Sequence, residues 1–215
     1  MTKNFKIDMP KIPLDLQRAN FQDIYAEEEP WLSNCAIVNE SLDHAEIEKA
    51  VLSKVVFKNT TLGSAQFEAI DMTDVLFENC DLSNVSFSKG IIHRVTFKGC
   101  KLVGVNFSEA NLGHVTFEHC MAKLSSFASA RLKQVMFNDS SLESASYYDC
   151  KLNKVKFDQC DITEAEFFQT SLKGIDISTC TYERLNVALE SLDGCQVSAE
   201  QAIGFAKLLG LQVKQ

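Results

Sequence analysis

The chain has 215 residues, 46% hydrophobic and 23% charged, and a formal net charge of −8. That balance fits an ordinary globular protein with one substantial core and argues against direct nucleic-acid binding. No apolar run approaches the ~20 residues of a membrane span and no basic-then-apolar leader opens the chain, so the expected location is cytoplasmic, with no membrane partner.

Residues 1–34 carry no repeat. They contain all three prolines (Pro10, Pro13, Pro30) and end in the acidic run Glu27, Glu28, Glu29 before Trp31. They are expected to form an N-terminal cap that keeps the first turn of the repeat region from pairing with another chain.

Residues 35–197 repeat. Steps of five from Phe57 meet Leu62, Phe67, Met72, Phe77, Leu82 and Phe87, and the register continues without a slip to Leu172. Two positions before each centre lies a lane of small or β-branched residues, such as Val55, Ala65, Val75, Cys80 and Val95. A period of five suits neither a helix nor a continuous strand, but it suits a short strand followed by a corner, with the centre and the residue two before it facing inward. Side-chain identity recurs every twenty residues: VTFKGC at 95–100 returns as VTFEHC at 115–120. Four five-residue sides therefore close one turn. The expectation is an all-β solenoid of about eight coils between Cys35 and Gly194, about 38 Å long at the ~4.8 Å strand spacing.

In residues 198–215, Ser198 and Gln201 have the spacing of a helix capping box, and Gly210 marks a stop. The short C-terminal α-helix between them is apolar over more than half its circumference. Such an arc is wider than one packing surface needs, so it predicts contact with the last coil and with a second protomer. Ile203, Phe205, Ala206, Leu208 and Leu209 are the candidate interface of a homodimer joined through the C-terminus.

Units such as CDLSN at 80–84 and ANLGH at 110–114 resemble the A(D/N)LXX pattern of pentapeptide repeat proteins. That resemblance implies a right-handed quadrilateral β-helix. The ending SAEQAIGFAKLLGL at 198–211 is similar to the C-terminal dimer module of the quinolone-resistance (Qnr-type) members of that family. The likeness implies a non-enzymatic, DNA-mimicking protein that binds DNA gyrase and topoisomerase IV, both type II topoisomerases, and modulates fluoroquinolone sensitivity. The alternative is a repeat scaffold with an unrelated partner. Several members of the group project loops from the helix, whereas every column here stays in phase, so drug protection is expected to be weak.

No enzymatic site is expected. The cysteine column Cys80, Cys100, Cys120, Cys160 and Cys180 falls in the inward small-residue lane, where Thr60 and Ser140 stand in line with it, and reads as packing with reduced thiols. His93, His114 and His119 fall at outward positions with no inward Ser or Cys beside them, and no phosphate-binding glycine loop occurs. No catalytic residue, metal or cofactor is assigned. Between residues 55 and 194, three sides of the rod are acidic and one, carrying Arg94, Arg131, Lys133, Lys151, Lys154 and Lys173, is basic. The partner-binding candidates are Glu109, Glu118, Asp139, Glu143, Asp149, Asp158, Asp161, Glu164 and Glu166. Tyr148 and Phe168 each follow a centre and should be exposed, one coil apart. Ala122 interrupts the leucine lane, a gap that Met121 or Leu124 is expected to fill by bending inward.

Overall fold

The chain turns a corner at every fifth residue by taking a left-handed backbone conformation. Positive φ recurs at Asn79 (53°), Asn84 (57°), Lys89 (57°), Arg94 (49°), Gly99 (61°) and Gly104 (68°), and so on along the repeat. L side chains resist this region, with Asn and Asp the most tolerant and Gly free of the penalty, which accounts for the Asn, Asp and Gly residues gathered in the corner column.

The computed structural model describes residues 5–26, 28–208 and 210–213, with backbone alone at 207 and 208. Eight parallel strands stack in chain order: β1 (Gln17–Arg18), β2 (Trp31–Val38), β3 (Val51–Lys58), β4 (Asp71–Glu78), β5 (Ile91–Lys98), β6 (Asn111–Glu118), β7 (Arg131–Asn138) and β8 (Lys151–Asp158). From β2 onward each strand pairs with the next at an offset of twenty, as in Val95 with Val115 and Phe97 with Phe117. The other sides are tied at the same offset by single bridges, such as Lys101 with Met121 and Asn106 with Ser126. This is a β-solenoid of about seven turns. The last coil in the sequence count has no long strand and is held by bridges such as Glu166 with Asn186 and Asp176 with Gln196.

Between Ile47 and Ile177 both inward lanes are buried except at the partly buried Leu152, and the aromatic ones form two ring stacks. Phe97, Phe117 and Phe137 stack at 5.0 and 4.7 Å, while Phe107, Phe127 and Tyr147 stack at 5.2 and 4.9 Å. The stacks meet edge to face, as at Phe117 and Phe127 (6.0 Å, 89°). Offset stacks and edge contacts are the arrangements that ring quadrupoles favour. The cysteine lane packs and also donates hydrogen bonds: the Cys120 thiol donates to the carbonyl of Phe97 at 3.3 Å, and Ser140 in the same column donates to Asn138 O at 2.9 Å. All eight cysteines are free.

The gap beside Ala122 is not closed as expected. Met121 and Leu124 stay outside, 49% and 63% exposed. Ala122 itself is fully buried, and Leu124 sits in a left-handed corner (φ 59°), which directs its side chain away from the core.

The N-terminal segment does two things. Residues 17–25 cover the first coil: β1 pairs with Cys35 and Ala36, and Phe21 lies 6.1 Å from both Phe57 and Phe67, continuing the ring stacks to the end of the rod. Residues 5–13 instead run as a strap along one outer corner. The Lys6 carbonyl accepts from Gln134 Nε2 (2.7 Å), Asp8 N donates to His114 Nδ1 (3.1 Å), and Lys11 N donates to Asp74 Oδ1 (2.9 Å). Met9, Pro10 and Ile12 share a groove with Leu76 and Thr96, and Thr96 is buried although its register points outward.

At the other end, α1 (Ala199–Leu208) begins with the capping box read from the sequence: Ser198 N donates to Gln201 Oε1 (2.9 Å), and Gln201 N donates to Ser198 Oγ (3.2 Å). Gln201 Nε2 also donates to the carbonyls of Ile177 and Cys180, each at 2.9 Å, which fixes the helix to the last coil.

Candidate protein-interaction surface

The nine candidate carboxylates lie on three sides of the rod, and the solenoid treats each side differently. Coil stacking places residues twenty apart next to each other, so opposite charges at that spacing meet. On the side centred on Leu62, Lys123 pairs with Glu143, and Arg184 Nη2 reaches Glu164 Oε2 at 2.6 Å. Arg184 holds the Glu164 carboxyl below its ordinary range. Asp161, on the same side, accepts from Thr163 N at 3.0 Å.

On the side centred on Phe57, His119 Nδ1 lies 2.9 Å from Asp139 Oδ2, and His119 Nε2 lies 3.7 Å from Glu118. Lys156 reaches Asp158 at 2.6 Å and holds that carboxyl low. Glu118 also lines the groove beneath the strap.

The side centred on Phe67 is different. It carries Glu109, Asp149 and Glu166, and from Val105 to Leu189 it has no lysine or arginine. Among the described residues none of the three is in an ion pair. Glu109 and Asp149 are exposed, and Glu166 accepts from Ser146 Oγ at 3.0 Å. Tyr148 and Phe168 stand exposed on the same side, as their register requires. The structure therefore gives Glu143, Asp158 and Glu164 a lysine or arginine partner and Asp139 and Glu118 a histidine neighbour, while Asp161, Glu109, Asp149 and Glu166 stand outside any ion pair among the described residues, the last three on one side.

The basic side is also partly neutralised. Arg94 is engaged by Asp74 through two hydrogen bonds, 2.6 and 2.8 Å, beneath the strap, and Asp74 is held low first by that guanidinium. Lys173 lies 3.3 Å from Asp193. Neither the strap nor the pairing was foreseen from the sequence. The pairing had a signal, opposite charges twenty apart such as Lys58 and Glu78 or Asp81 and Lys101; the strap had none, since residues 5–13 share no period with the surface they cover.

At the C-terminus, Phe205 packs on Tyr182 (5.9 Å between ring centres) and Ala206 is half-buried, whereas Ile203 is 48% exposed. The Leu208 side chain and Leu209 lie outside the described residues. Exposed Leu189 (42%), Leu211 (57%) and Val213 (43%) extend the apolar surface at this end. Burial pushes the thiols of Cys150 and Cys195 up to about 12 and about 11, far from nucleophilic character at neutral pH. Among the described residues no group of three or more His, Cys, Asp or Glu side chains is placed to hold a metal, and no helix is long and apolar enough to cross a membrane.

Residues 70–147 and 90–167 match the family profile described as Pentapeptide repeat region. No curated protein matches the chain. Among solved structures, full-length QnrB1, a plasmid-mediated fluoroquinolone resistance protein, is 15% identical over 82% of this chain and 100% of its own, with a TM-score of 0.40. HetL, involved in heterocyst differentiation regulation in the cyanobacterium Nostoc, is 14% identical over 85% of this chain and 95% of its own, with a TM-score of 0.43. A thylakoid-lumen pentapeptide repeat protein of Arabidopsis thaliana is 20% identical over 47% of this chain and 68% of its own, with a TM-score of 0.26. Residues 70–167 are thus a pentapeptide repeat region, and the five-residue corners and paired inward lanes continue beyond both of its ends.

Proposed function

We propose that the protein is a non-enzymatic, cytoplasmic binding protein that presents its Phe67 side, as a DNA-like acidic surface, to the cationic DNA-binding surface of DNA gyrase or topoisomerase IV, and so modulates the action of fluoroquinolones. The observation that carries this reading is the set Glu109, Asp149 and Glu166, outside any ion pair among the described residues, on a side that has no lysine or arginine between Lys89, itself bound to Glu68, and Leu189. A surface evolved for phosphates attracts a rigid array of carboxylates, and water and salt screen that attraction. The apolar surface around Ile203 supports a C-terminal homodimer, which would double the rod and its net charge.

The second reading, a scaffold with an unrelated partner, is favoured by the pairing of Asp139, Glu143, Asp158 and Glu164, which leaves fewer free charges than a full phosphate mimic needs. Pull-down of purified gyrase at low and moderate salt separates the two. A DNA-like contact captures gyrase at low salt, releases it as salt rises and weakens in Glu109→Gln/Asp149→Asn/Glu166→Gln. Absence of capture at low salt leaves the scaffold reading.

A further inference from the structure

Tyr148 and Phe168 occupy the same outward position in successive coils, 40% and 43% exposed, and Asp149 N donates to the Phe168 carbonyl at 3.1 Å across the join. The rest of that column is Glu68, Ser88, Ser108, Ala128 and Ala188, so the aromatic pair departs locally from a small or polar lane. The pair adds nothing to the core, where the adjacent Tyr147 and Phe167 are already fully buried. Exposed aromatic side chains held in turns at the same position of successive coils are characteristic of contact surfaces.

The flanking charge indicates what makes the contact. Asp149 adjoins Tyr148, Glu166 lies on the same side two residues before Phe168, and neither has an ion-pair partner among the described residues. Ring faces attract cations, and a planar guanidinium can stack on a ring while giving paired hydrogen bonds to a carboxylate; an ammonium does neither as well. We propose that Tyr148, Phe168, Asp149 and Glu166 form a subsite that docks an arginine side chain of a protein partner. The proposal rests on the reading that the Phe67 side meets a cationic surface, and adds that the surface is recognised through arginine and not by positive charge alone. A second copy of this chain is a poor occupant. Three of its four arginines are engaged within the chain: Arg18 with Val38 O, Arg94 with Asp74 and Arg184 with Glu164. The C-terminal tail has none.

The test uses the full chain and labelled deca-arginine and deca-lysine peptides, with binding read by fluorescence anisotropy at moderate salt. Deca-arginine binds about five- to tenfold more tightly than deca-lysine. Tyr148→Ala/Phe168→Ala, whose rings are outside the core, removes that preference and leaves deca-lysine binding as it was. Asp149→Asn/Glu166→Gln weakens both peptides. Equal affinities for the two peptides, or a preference that survives the double alanine variant, overturns the proposal. So does a change in oligomeric mass of that variant by light scattering, which would assign the pair to a second copy. Because no topoisomerase is present, failure here removes the arginine subsite alone; arginine preference without gyrase capture removes only the topoisomerase reading.

Discussion

The rings of Phe117 and Phe137 lie 4.7 Å apart and within 6° of parallel, in a column where each residue is fully buried. Each ring is therefore both a core side chain and the spacer between coils. Phe117→Ala removes a ring that also meets Phe107 and Phe127 edge to face. It should destabilise the fold by about 3–5 kcal/mol in urea unfolding. A variant as stable as the wild type contradicts the inward assignment of the lane.

Tyr147 stands in the other stack, fully buried, and its hydroxyl meets no hydrogen-bond partner. Burial raises its pKa, so the ring stays neutral and the orphaned hydroxyl remains a net penalty. Tyr147→Phe keeps the stacking and should stabilise the protein by about 1–3 kcal/mol. Thermal and urea unfolding both read this gain.

Asp74 links the strap to the rod, accepting from Lys11 N and from Arg94. Its carboxyl is held below the ordinary 3.8, chiefly by Arg94. A lowered folded pKa gives stability that is complete well above the unfolded pKa and is lost as pH falls through it towards the folded value. Wild-type stability should therefore decline as pH falls below about 5, and Asp74→Asn should be less stable at pH 7 but decline less steeply. Identical slopes in the two proteins would mean that Asp74 has no part in the acid sensitivity.

Ile203 is exposed on α1 while Phe205 is turned onto the last coil. Ile203→Lys should convert a dimer to a monomer by light scattering without changing the melting temperature of the coils. A dimer that persists places the interface elsewhere.

The inward face of the fold was legible because burial acts on every unit alike. One lane, repeated at five and twenty, reports strand, corner and stacking together, as Val95, Phe97, Val115 and Phe117 do. The outer surface was less legible because its structure depends on pairs. The register placed Glu143 and Glu164 outward, and only the contacts with Lys123 and Arg184 distinguish them from Glu109 and Asp149. Leu124 illustrates a second limit: an apolar residue beside a small core residue looked like a filler, but the left-handed corner at that position turns it to solvent. The strap at residues 5–13 follows no period, and its path is set by individual hydrogen bonds to Asp74, His114 and Gln134.

The most direct measurement is a gyrase supercoiling and cleavage assay, with and without a fluoroquinolone, titrated with the purified protein. The wild type should inhibit supercoiling at about micromolar concentration, and Glu109→Gln/Asp149→Asn/Glu166→Gln should lose that inhibition with the fold intact. The effect on drug-stabilised cleavage should be smaller, since the columns remain in phase and project no loop. Unchanged supercoiling and cleavage at that concentration, together with no binding to gyrase or topoisomerase IV at low salt, would contradict the DNA-mimic reading.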